Sequence, residues 1–163
     1  MKRVVAVLAG VAVLASIGTG LLVWRLTHDH RPQLPEISAY SHGHLTRVGP
    51  YRFCEVFNPT DCVVPGAQGE LPVTGRFPVQ LSVPSAIARA PWVLLRAYED
   101  DDVIEEFRPG ARLAVTIPTV DPLRGRLTGV AVQLPTLVRD EAGNEFPVPH
   151  AEWSVRTVWG QPD

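Results

Sequence analysis

Cys54 and Cys62 are the only two cysteines in the 163-residue chain, and they close a nine-residue loop in "YRFCEVFNPTDC". Two thiols at this spacing admit three chemistries: a disulfide, half of a metal site, or a nucleophile with a neighbour. A metal pair calls for Cys-x-x-Cys spacing or histidines at fixed steps, which the segment lacks. A catalytic thiol is poorly served by a second cysteine that can oxidise it. Asn58-Pro59-Thr60-Asp61 is turn chemistry that folds the chain back on itself. A disulfide is therefore the expected state, and closing so short a loop removes ~2.5 kcal/mol of unfolded-chain entropy in the loop-closure model.

The other chemistry-bearing residues form weaker patterns. His28 and His30, then His42 and His44, are each two apart, and on a strand such residues share a face. His42 and His44 could chelate a metal with His150 as a distant third ligand. Gly43 weakens a strand between them, and no carboxylate lies at ligand spacing, so a polar exposed edge is the expectation. His28 and His30 read as solvated linker residues. "YEDDDVIEE" gathers six acidic residues between Glu99 and Glu106, but it lacks the alternating ligands and bend glycine of a calcium loop. It reads as a charged hairpin tip, and nothing local would bury Glu99 or Glu106 as an acid–base pair. Ser85 follows a proline and reads as a cap or turn residue. No Gly-x-Ser-x-Gly elbow, phosphate loop or His-Glu-x-x-His occurs. No catalytic residue, cofactor site or metal site is therefore assigned.

Charge narrows the partners further. With Lys2, Arg3 and Arg25 set aside, 12 basic residues remain against 17 acidic, a balance of −5. Such a surface disfavours nucleic acid and anionic lipid.

The elements that position these residues begin with an uncharged run from Val4 to Trp24. It is about 21 residues long, enough for a helix to cross a hydrocarbon core of ~30 Å. Residues 1–25 read as an uncleaved transmembrane anchor; a cleaved signal sequence is the alternative, but the apolar run continues past Gly18 and Gly20 without a clear cleavage site. Lys2 and Arg3 favour a cytoplasmic amino terminus. Everything beyond Arg25 would then lie outside a single-pass anchor in the cell membrane, where a disulfide persists. Ala12, Ser16 and Gly20, four apart, form a small-residue face on which another helix could pack.

Residues 26–36 carry two prolines and read as a linker, residues 37–159 as one exported domain, and residues 160–163 as a loose tail. The domain reads as all-β. "VQLSV" places Val79, Leu81 and Val83 on one face, "LAVTI" places Leu113, Val115 and Ile117, "LTGVAVQL" places Val130, Val132 and Leu134, and "WSVRTVW" places Trp153, Val155, Thr157 and Trp159. "WVLLRAY" is apolar on both faces, as a covered central strand would be. "PSAIARA" makes at most one short turn of helix. The expected architecture is an immunoglobulin-like two-sheet sandwich with Trp92 and Trp153 as core anchors.

"PVQLSVPSAIARAPWVLLRAY" carries a resemblance, as does the order of an amino-terminal anchor, the two-cysteine hairpin, "VPSAIARAPW", "GVAVQLP" and "EWSVRTVW". The chain resembles, over roughly residues 37–158, an actinobacterial envelope family known as a domain of unknown function. It is more distantly similar to the trehalose monomycolate transport factor. The family resemblance implies an anchored or secreted protein with no catalytic residues to carry over. The functional expectation is a non-catalytic, membrane-anchored module with a protein partner in envelope assembly. The alternative is a domain that holds an apolar ligand, such as a lipid chain, between its sheets.

Overall fold

The computed structural model describes residues 2–28, 34–56 and 61–160, with side chains in the first helix described at Gly10 and from Ala12 to Arg25. The chain divides into two compact units, residues 1–33 and 34–163. The first contains one helix, α1 (Lys2–His28), which runs three residues past the expected end of the anchor. Its first turn lacks an acidic residue. Ser16 and Thr19 donate their hydroxyls to the carbonyls of Ala12 and Ala15, both at 2.9 Å. Among the described residues no helix is long and apolar enough to cross a membrane.

The described residues of the second unit form twelve strands and one helical turn. In chain order the strands are β1 (Ile37–Ser41), β2 (His44–Val48), β3 (Arg52–Cys54), β4 (Cys62–Val63), β5 (Gln68–Val73), β6 (Val79–Ser82), β7 (Trp92–Tyr98) and β8 (Asp102–Phe107). They continue as β9 (Ala114–Ile117), β10 (Val120–Asp121), β11 (Gly125–Arg139) and β12 (Glu145–Trp159). The turn α2 (Ser85–Ala88) follows Pro84, whose fixed φ suits a helix start, and buries Ile87 and Ala88. A four-stranded antiparallel sheet has the order β2-β1-β6-β9. A larger sheet has the order β4-β3-β12-β11-β7-β8, with β10 on β11 and β5 on β12. The β5–β12 pairing is parallel, the others antiparallel.

The sheets stack, and the alternating residues of both meet between them. Ile37, Ala39, Val79, Leu81, Val115 and Ile117 come from the small sheet. Leu71, Trp92, Leu94, Val130, Val132, Trp153 and Val155 come from the large one. Trp92 and Trp153 are fully buried, as expected of core anchors. Trp92 stacks on Phe107 at a centroid distance of 4.1 Å, slightly tighter than the roughly 4.5–7 Å usual for aromatic pairs. The sheets also approach where Gly69 leaves no room for a side chain: a Cβ there would lie 2.9 Å from a Thr46 methyl.

Several expectations need correction. Leu113 is outside β9 and exposed; its carbonyl accepts the Val83 N–H while the side chain turns away from the core. Leu34–Glu36 are not linker, since they belong to the β unit and Pro35 is bonded to its core. The expected tail begins at Gly160, the last described residue, and residues 161–163 lie outside the described residues. His30 and Asn58-Pro59-Thr60 also lie outside the described residues.

Candidate functional site

The residues expected to do chemistry are scattered. His42 is in the β1–β2 turn with a left-handed φ of 40°, so His42 and His44 do not share a strand face. The His42 ring instead stacks on Phe77 at 3.8 Å. His150 lies elsewhere, its Nδ1 3.3 Å from the Cys54 carbonyl. Among the described residues, no group of three or more histidine, cysteine or acidic side chains could hold a metal. Glu99 accepts the Arg126 N–H at 3.0 Å near the β7–β8 turn, whereas Glu106 pairs in register with Val93 near the other end of that hairpin. Cys54 and Cys62 are directly opposed across β3 and β4 and form a disulfide. It staples a small hairpin at the edge of the large sheet, and the Glu55 N–H reaches the Asp61 carbonyl beside it.

Two carboxylates are tuned by local geometry. The Leu123 and Arg124 N–H groups and the Arg124 guanidinium hold Asp121 below its ordinary pKa. The side-chain amide and backbone N–H of Asn144 do the same for Asp140. Burial raises the pKa of Tyr98, whose hydroxyl donates to the Pro118 carbonyl. All three are turn or core features.

The feature that stands out is the outer face of the large sheet. An antiparallel sheet with one solvated face normally alternates apolar-in and polar-out. β7 and β11 break that rule. Trp92, Leu94, Val130 and Val132 point into the core, but Val93, Leu95, Ala97 and Ala131, which alternate with them, are apolar too. Ile104 on β8 adds a side chain that is 67% exposed, and Leu137 on β11 adds one that is 68% exposed. Among the described residues of the β unit, no strand or helix covers this face.

Two concavities open on it. A cleft of about 550 Å³ lies where β7 begins and β8 ends. Its walls are five prolines, Pro91, Pro109, Pro135, Pro147 and Pro149, with residues Val93 and Gln133 of the outer face and the chain at Trp92 and Phe107 between them. The prolines explain the opening: Pro91 precedes β7, and the register shift between Leu134 and Pro135 redirects β11 and β12 into a two-stranded arm beyond it. The Trp92 indole N–H is buried without a hydrogen-bond partner among the described residues. A second hollow of about 340 Å³ has a floor of small residues, among them Ala97, Gly129, Ala131 and Ser154, with Gln68, Glu152 and Arg156 around it. The signal in the sequence was the two-sided apolarity of "WVLLRAY", read there as a covered strand; only one of its faces is covered.

Two stacked sheets, antiparallel except for the β5–β12 pairing, define the class of the described residues: an all-β two-sheet domain. Residues 30–158 match the family described as Protein of unknown function (DUF2771), and the chain belongs to that family. It is 60% identical to an uncharacterised protein of Mycobacterium tuberculosis strain H37Rv over 162 residues, covering 98% of this chain and 100% of that one. An uncharacterised protein of Mycobacterium bovis shows the same identity and coverage. No solved structure shows significant similarity to the chain.

Proposed function

We propose that this protein is a membrane-anchored, non-catalytic envelope domain that acts as an interaction or accessory module in cell-envelope assembly, mycolate glycolipid assembly included. The observation that carries the reading is the uncovered apolar outer face of the large sheet, since contiguous apolar surface on a small domain marks an interaction site. The uncharged run Val4–Trp24, lying within α1, supports an anchor with a cytoplasmic amino terminus. The Cys54–Cys62 disulfide supports an oxidising, extracytoplasmic setting for the β domain.

The strand plan supports the finer fold assignment, an immunoglobulin-like sandwich. β1, β6 and β9 stand in the order of strands A, B and E; β12, β11, β7 and β8 stand in the order G, F, C and C′. Trp92, at the start of β7, holds the place of the buried tryptophan on strand C. The β2–β4 segment is then an insertion, and its local disulfide replaces an inter-sheet one.

Purification of the full-length chain from its native membrane in mild detergent tests the function. A partner that is retained by the parent and lost by Leu95→Glu with Ile104→Glu supports the module. Quantitative retention by that double variant removes the outer face from the account. The alternative, an apolar-ligand module, is favoured by the proline-walled cleft rather than by the space between the sheets, which side chains fill. Stoichiometric lipid extracted from the purified protein would favour it.

A further inference from the structure

The proline-walled cleft differs from the rest of the outer face because it adjoins an open strand edge. β7 pairs with β11 only as far as Val93 opposite Gln133. Beyond that point β11 continues through Pro135, Thr136, Leu137, Val138 and Arg139 with β12 on one side and, among the described residues, no strand on the other. An unpaired edge presents main-chain donors and acceptors to any extended chain laid beside it. Strand addition of this kind takes affinity from the main chain and specificity from pockets for alternate side chains. Here such a pocket is present: the cleft of about 550 Å³ lies beside Pro135, lined by Trp92 and Phe107.

Charge indicates what the incoming segment carries. Arg96, Arg139 and Arg156 are each paired internally, with Glu105, Glu145 and Glu70. Glu106 and Arg108, which line the cleft, have no ion pair among the described residues. The lining thus offers one charge of each sign beside an apolar floor. Resting on the interaction-module reading, we propose that this cleft binds an extended peptide segment of a protein partner. The segment continues the sheet along the 135–139 edge of β11, seats a proline or aliphatic side chain among the cleft prolines beside Val93, and sets a basic residue by Glu106 and an acidic one by Arg108. A free lipid chain would use the floor but neither the strand edge nor the two charges.

The test uses the full-length chain in lipid nanodiscs. The probes are an array of short synthetic peptides with proline, leucine or valine centres and lysine or glutamate flanks, and separately oleic acid. Peptides with an apolar centre and both charges bind and slow amide hydrogen exchange at Thr136–Arg139. Val93→Arg, which fills the cleft from the outer face, weakens that binding by about tenfold or more while the thermal midpoint holds. Val158→Arg, on the same sheet but away from the cleft, leaves binding intact. The proposal is overturned if no array member protects the edge, if Val93→Arg binds normally, or if oleic acid alone occupies the cleft. A native partner retained by Val93→Arg but lost on disrupting Leu95 and Ile104 would overturn this assignment while sparing the module.

Discussion

The Trp153 indole N–H donates to the Pro35 carbonyl at 2.7 Å, tying the last strand to the residues just before the first. Trp92, the other large ring in the core, has no such bond among the described residues. The two tryptophans are equally buried yet differ in what their nitrogens do, and substitution should separate them. Trp92→Ala and Trp153→Ala should each cost ~3–5 kcal/mol in chemical unfolding, the range for a truncated core aromatic. Replacement by phenylalanine should be milder at Trp92. Trp153→Phe leaves the Pro35 carbonyl short of a donor and should cost about 1–3 kcal/mol more. Equal losses at the two positions would contradict the distinction.

The disulfide gives a simple chemical expectation. The intact domain should be two protons lighter than its reduced form by mass spectrometry. Serine at both Cys54 and Cys62 should lower stability by ~2–3 kcal/mol without loss of the β signal in circular dichroism, because the hairpin is peripheral to the core.

Thr157 and Trp159 converge on one acceptor: both donate to the Leu127 carbonyl, from Oγ1 and from Nε1 at 2.9 Å. Leu127 sits at the register shift between β11 and β7, where a regular ladder partner is lost. Thr157→Val keeps the shape and removes one of the two donors. It should cost about 1 kcal/mol, the net value of a typical hydrogen bond, measured as a shifted denaturant midpoint with an unchanged slope.

Asp121 and Asp140 make acid stability testable. Their folded-state pKa values are depressed, so each contributes stability in full above the unfolded value of about 3.9 and loses it as pH falls through the folded-state value. Thermal midpoints measured from about pH 6 to pH 2 should fall across that window. Asp121→Asn with Asp140→Asn should flatten the fall, and an identical profile would remove these turns from the explanation.

On the helix, Ser16→Leu with Gly20→Leu should abolish partner co-purification if the small-residue face of α1 docks another helix. Full activity with an unrelated anchor would reduce α1 to a tether.

Where burial alternates strictly, the sequence was readable. Val79, Leu81 and Val83, and the run Trp153, Val155, Thr157, Trp159, showed their inward faces because the pleat alone dictates that pattern. The disulfide was readable because its partners are close in the chain. What remained hidden is non-local. Nothing in "QGELPV" announces a parallel partner 86 residues away, and nothing near His42 announces a left-handed turn. The cleft depends on where β7 stops relative to β11, a register fixed by packing across the whole sheet.

β12 is made after every other described strand, yet β3, β5, β11 and Pro35 all lean on it. A chain synthesised from its amino end therefore emerges with those partners unmet, and the Trp153–Pro35 bond must close a separation of 118 residues. Loop closure on that scale slows folding toward the millisecond-to-second range of all-β domains. The nascent domain thus waits, unassembled, for its final fifteen-residue strand, and a ribosome stalled before Glu145 leaves a polypeptide whose large sheet has no seam to close.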